Sequence, residues 1–133
     1  MSRREYREHL FRMLFRKDFH DSTELNEQIE LYFEMLIDPK KDELEYLKSR
    51  FDNMIEKMPE IDQIIEESAS GWKLSRMGKI DLTIIRIATY EALFDEDIPT
   101  GVAINEAVEI AKMFGEENSP SFINGVLAKI VNK

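Results

Sequence analysis

Six cations, Arg3, Arg4, Arg7, Arg12, Arg16 and Lys17, stand in the first 17 residues against only Glu5 and Glu8, a local net charge of +4. The chain of 133 residues carries −9 in all, so the 116 residues that follow hold −13. Basic side chains neutralise phosphates and release their counterions. A basic segment on an acidic body therefore offers one place, and only one, where a polyanion would readily bind. The competing reading is a solvated helix end laced by salt bridges, because Glu8 stands four residues from both Arg4 and Arg12. Against it, cations in the first turns of a helix oppose the macrodipole, a small structural cost that a purely structural role leaves unexplained.

Other chemistries find few residues to carry them. His9 and His20 are the only histidines, far apart and without the partners of a metal motif, and His9 is expected at the surface near the arginines. No glycine-rich phosphate loop, serine elbow or zinc knuckle occurs. The carboxylates fall mainly on solvent faces, from which no acid and base pair can be chosen. Without cysteines there is no disulfide, thiolate metal site or cysteine nucleophile, which suits a reducing cytosol. No apolar run approaches the roughly 20 residues of a membrane span, and the charged N-terminus lacks the core of a signal peptide. The expectation is a cytoplasmic binding module with no catalytic residue, metal or cofactor.

Helices must position these residues. Ser2 and Glu5 have the spacing of a capping box, and Tyr6, Leu10, Met13 and Leu14 follow as an apolar face broadened by Phe11 and Phe15. Asp21 with Glu24 opens a second helix carrying Leu25, Ile29, Tyr32, Phe33 and Leu36, which Asp38-Pro39 ends. A third runs from about Lys41 to Lys57 with Leu44, Leu47, Phe51, Met54, Ile55 and Met58 on one face. Pro59 is expected to close it, with a shorter segment around Ile61, Ile64 and Ile65 after it. Ser68-Ala69-Ser70-Gly71, small, polar and aperiodic, reads as a junction between two halves, about 1–70 and 71–133, of one domain. Past Trp72 and Gly78, the run from Ile80 to Phe94 leaves little polar face and should be central. Arg86 within it needs partners, for which Glu106 and Glu91 are candidates.

Two further helices follow. Val102, Ala103, Ala107, Ile110, Ala111 and Phe114 recur at helical spacing, and Gly115 stands where a left-handed residue would stop the helix. Ser119-Pro120 is a start signal, the serine oxygen capping free N–H groups and the proline losing nothing at the first helical position. Phe122 then sits at a helix start, where an exposed ring could stack on an unpaired base for about 1 to 3 kcal/mol. A buried ring there would be core.

The identities in this region are specific. Ile104-Asn105-Glu106-Ala107-Val108-Glu109, Ala111-Lys112 with Phe114-Gly115, and Phe122-Ile123-Asn124-Gly125-Val126-Leu127 resemble the C-terminal signature of the NusB family of bacterial transcription antitermination factors. Ile85-Arg86-Ile87-Ala88, Tyr90-Glu91 and Asp97-Ile98-Pro99 fit the same family in order and spacing, so the likeness covers about the second half of the chain. Two positions depart from it: Ser121 stands where a lysine is frequent, and Ala128 where an aspartate is common.

The resemblance implies an all-α domain of about seven helices, arranged as two three-helix bundles packed across each other. It implies binding of single-stranded boxA RNA together with NusE, a small-subunit ribosomal protein, so that the transcribing RNA polymerase complex reads through terminators in ribosomal RNA operons. Arg3, Arg4, Arg7, Ser119 and Phe122 are then the RNA-binding candidates. Asp81, a carboxylate near a helix N-terminus where the macrodipole favours it in any case, is the candidate contact for NusE. The alternative is a helical protein-interaction adaptor that does not bind RNA. Some RNA methyltransferases carry a NusB-like N-terminal domain, but a chain ending at Lys133 would leave no room for a catalytic domain. A homodimer of the free protein is left open.

Overall fold

The computed structural model describes residues 1–69 and 73–132. Ser70, Gly71 and Trp72, which include part of the expected junction, lie outside the described residues, as does Lys133. Among the described residues the regular structure is entirely helical: α1 (Arg3–Phe15), α2 (Ser22–Glu34), α3 (Lys41–Ser68), α4 (Lys79–Phe94), α5 (Thr100–Phe114) and α6 (Ser119–Val131). Short 3-10 turns at Arg16–Phe19 and Leu74–Arg76 complete it. The chain forms two compact units, Met1–Ile55 and Glu56–Lys133.

In the first unit the expected capping box closes the start of α1. Ser2 Oγ accepts the Glu5 N–H at 3.1 Å, and Glu5 Oε1 accepts the Ser2 N–H at 3.4 Å. Asp21 caps α2 in the same way, accepting the Glu24 N–H at 2.9 Å. These starts aim Leu10, Met13 and Leu14 of α1, Leu25 and Ile29 of α2, and Leu47, Phe51 and Met54 of α3 into one core. Glu43 at the start of α3 accepts the Lys40 N–H at 3.0 Å and pairs with the ammonium of Met1. The ammonium bond first, then the amide, holds its carboxyl below the ordinary value.

The second unit contains a bundle of α4, α5 and α6, each packed on the other two. The ten residues Leu82 to Glu91 of α4 are buried without a break, the polar Thr83, Arg86, Thr89 and Glu91 included. Arg86, 4% exposed, finds one partner in α3: Nε and Nη2 donate to the two carboxylate oxygens of Asp62 at 2.8 and 2.9 Å. The sequence did not nominate Asp62, which lies 24 residues away. A fork on a carboxylate satisfies both charges in a dry site better than a single contact could.

Pro59 does not end α3, which runs through it to Ser68. A proline in a helix interior costs about 3 kcal/mol, from a lost hydrogen bond and a clash with the preceding turn. Here Met58, Ile61 and Ile65 are each at most 2% exposed and continue the helical spacing of Phe51 and Met54. Burying three such side chains contributes about 1.5 to 3 kcal/mol apiece, which outweighs the proline. The expected separate segment is therefore the end of α3, and six α-helices stand where about seven were read.

Gly115 also differs from expectation. Its φ is −91° and its ψ −173°, an extended conformation open to any residue. Space is what requires glycine: an added Cβ would lie 2.7 Å from Ser119 Cβ and Oγ and 2.8 Å from the Ala111 carbonyl oxygen. Ser119, in turn, is not the cap of α6 but its first residue, after Asn118, which makes no side-chain cap bond. Its Oγ reaches back to accept the Glu116 N–H at 2.9 Å, which ties the turn to the helix it begins.

Gly115→Ala and Gly125→Ala should accordingly shift stability in opposite directions. Alanine at a permissive φ stabilises by about 0.4 to 1 kcal/mol through the unfolded chain, but overpacking costs about 1 to 3 kcal/mol, so Gly115→Ala should be net destabilising. Gly125 lies inside α6, where an added Cβ meets nothing within 4 Å, and alanine there should stabilise by about 0.5 to 1 kcal/mol. Urea unfolding of both variants checks the pair.

Candidate nucleic-acid interface

The basic segment is presented unevenly. Arg3 and Arg4, in the first turn of α1, are exposed. Arg7, one turn on, is 8% exposed and engaged within the fold, so it is not presented to a ligand as the other two are. The period of α1 explains the difference: Arg7 is three residues before Leu10 and four before Phe11, both buried, and falls on the core side.

Arg12 and Arg16 are drawn toward α2. Arg16 lies over the Tyr32 ring, 4.8 Å from its centroid, and its Nη1 donates to the Arg12 carbonyl. Arg12 hydrogen-bonds the Tyr32 phenol, whose pKa is raised by burial against that opposing influence. His9 is not the plain surface residue expected: its Nδ1 is 2.6 Å from the Tyr32 hydroxyl, and burial first, then the Arg12 charge, lowers its pKa. The sequence missed this cluster because Tyr32 is 23 residues from His9 and reaches it only through the packing of α2 on α1. Lys17 is 3.8 Å from Asp18. The positive surface of the segment thus centres on the first turn of α1.

In the second unit Phe122 is half-buried one turn into α6, while its neighbour Ile123 is fully buried. Its ring is neither wholly core nor wholly free. Ser119 is 2% exposed, and its hydroxyl serves the turn as described, so its contribution to this surface is to fix where α6 and Phe122 begin. Ser121, beside Phe122, is exposed and brings no charge. Asp81 is half-buried in the first turn of α4, whose Gly78 start carries no side-chain cap. A carboxylate there meets the free N–H end of the helix. Glu24 stands four residues after His20 and approaches it to 3.3 Å, a spacing the sequence reading passed over. Among the described residues no group of three or more His, Asp or Glu gathers to hold a metal ion.

What both units offer is contact surface on a rigid helical frame, the property of a helical binding domain. Comparison with known proteins gives that class a family. The chain belongs to the NusB family, whose model matches residues 4–132. A transcription antitermination protein NusB from Lachnoclostridium phytofermentans is 56% identical over 132 residues, covering 99% of this chain and 100% of the relative. Among solved structures, T. maritima NusB is 35% identical with a TM-score of 0.85, covering 100% of this chain and 92% of that one. A chain from a crystal structure of the antitermination factors NusB and NusE in complex with dsRNA is 26% identical with a TM-score of 0.79, covering 98% and 96%.

Two measurements test the surface. In Arg3→Ala/Arg4→Ala, the slope of log affinity for single-stranded RNA against log salt should shrink by about 1.4, or 0.7 per lost phosphate contact, while stability holds. Arg7→Ala should instead lower stability, by about 1 to 3 kcal/mol, with little change in slope. The cluster around His9 adds a pH dependence. Its folded pKa lies below the unfolded value of about 6.5, so the unfolded state binds the proton first and stability falls as pH drops through that value. Thermal unfolding from pH 8 to 5 should show this loss in the parent and less of it in His9→Gln.

Proposed function

We propose that this protein is a transcription antitermination factor that binds boxA RNA together with NusE and carries the transcribing RNA polymerase through terminators of ribosomal RNA operons. The observation that carries the proposal is its likeness, over 98% of the chain, to the NusB of a complex with NusE and RNA. Arg3 and Arg4 supply phosphate contacts and Phe122 a stacking face, with Arg7 and Ser119 holding these in place. Antitermination of this kind acts on nascent RNA and places the protein in the cytoplasm; no helix among the described residues is long and apolar enough to cross a membrane.

NusE docks at Asp81 in this proposal. A chain with −13 outside its first 17 residues attracts a basic ribosomal protein. The partner also supplies positive charge that Ser121 does not, completing an RNA site that is partial in this chain alone.

Titration with boxA-like and scrambled RNA, each with and without NusE, tests the proposal. Preference for boxA that strengthens with NusE is the expected result; equal affinity for both RNAs under both conditions would favour an adaptor without RNA binding. Asp81→Lys should weaken NusE binding with helix content intact. Unaltered NusE affinity in that variant would move the docking site elsewhere.

A further inference from the structure

Acidity and exposed apolar surface coincide on α2. From Asp18 to Pro39 the chain has no lysine or arginine but seven carboxylates, of which all but Asp18 are exposed, Glu27, Glu30, Glu34 and Asp38 among them. Within that frame stand four large apolar side chains that the first unit leaves exposed: Phe19 at 56%, and, within seven residues of one another, Leu31 at 51%, Met35 at 73% and Ile37 at 92%. Leu31 and Met35, the C-cap of α2, are one helical turn apart and on the side of the helix away from buried Ile29. Met35 and Ile37 continue onto the rim of a recess of about 380 Å³, which Leu36, Pro39, Glu5 and Glu43 also line. Asp38, with φ 45°, holds the turn that presents Ile37. Scattered apolar residues on a surface need no explanation, but three large ones grouped beside exposed carboxylates mark a contact site, even with the Met1 ammonium lining the recess.

We propose that the C-terminal end of α2 and the turn after it, presenting Leu31, Met35 and Ile37, dock a basic amphipathic helix of a partner protein. The apolar row takes the helix's apolar face, and the surrounding carboxylates take lysines or arginines flanking it. The same frame argues against other occupants. Phosphate backbones and anionic lipid surfaces are repelled by it, and a second copy meeting through the same face would set carboxylates against carboxylates. The proposal uses neither Asp81 nor Arg3 and Arg4, so it stands or falls apart from the function proposed above.

The test is a titration of the ¹⁵N-labelled protein with a helical peptide of about 18 residues, leucine on one face and lysine on the other. A scrambled isomer of the same composition is the control. Amide shifts confined to residues 27–39 are expected, with the scrambled peptide and the variant Leu31→Ser/Met35→Ser/Ile37→Ser each roughly tenfold weaker. The three side chains are exposed, so the variant should keep the parent's circular dichroism, and Asp81→Lys should bind the peptide as the parent does. Equal binding of the two peptides, undiminished binding in the triple variant, or shifts gathered elsewhere would overturn the proposal. So would a dimer in sedimentation that the triple variant abolishes, which would assign the face to self-association.

Discussion

The approach of Ser119 to Gly115 sets how α5 and α6 are joined, and the candidate aromatic depends on it. With no Cβ at Gly115, Ser119 can sit against the end of α5 and use its hydroxyl to close the intervening turn on the Glu116 N–H. That contact starts α6 at Ser119 and puts Pro120 in its first turn, where a missing N–H costs nothing. Phe122 follows in the same turn, at the rim of the core, and Ile123 points inward. A surface aromatic is useful for recognition only where its backbone is rigid, and here the rigidity comes from a contact too tight for any side chain larger than hydrogen.

A similar economy governs the rest of the second unit. Arg86 lies in the buried stretch of α4 that also holds Leu82, Ile84, Ile85 and Ile87, and a buried charge without a counter-ion would cost several kcal/mol. The two-pronged bond from Arg86 to Asp62 answers that cost and ties α4 to the part of α3 beyond Pro59. The continuation of α3 is thus held by both its buried methionine and isoleucines and a charge pair, which is why one proline does not break it.

The elements were largely legible in the sequence because they rest on local signals. Ser2 with Glu5 and Asp21 with Glu24 cap where their spacing said they would, and α4, which leaves little polar face, is the most continuously buried helix among the described residues. The failures share a cause. Pro59 was read by its local propensity, whereas tertiary burial on both sides decides the helix. Gly115 was assigned a left-handed φ because that is the usual reason for glycine at a helix end, and the actual reason is a neighbour's side chain. The Tyr32 partner of His9 is 23 residues distant, beyond any pattern of helical spacing. Net charge located the basic segment but could not say that Arg7 faces inward and that Arg12 and Arg16 gather around Tyr32.

In the proposed function the turn locked by Gly115 and Ser119 presents Phe122 to an RNA base. Ultraviolet cross-linking of a boxA-like RNA to the protein, in the presence of NusE, with the adducts located by mass spectrometry, tests it most directly. The account predicts an adduct on Phe122 that disappears in Phe122→Leu while the RNA remains bound through α1. Adducts confined to α2 and α3, with Phe122 unmodified, would contradict it.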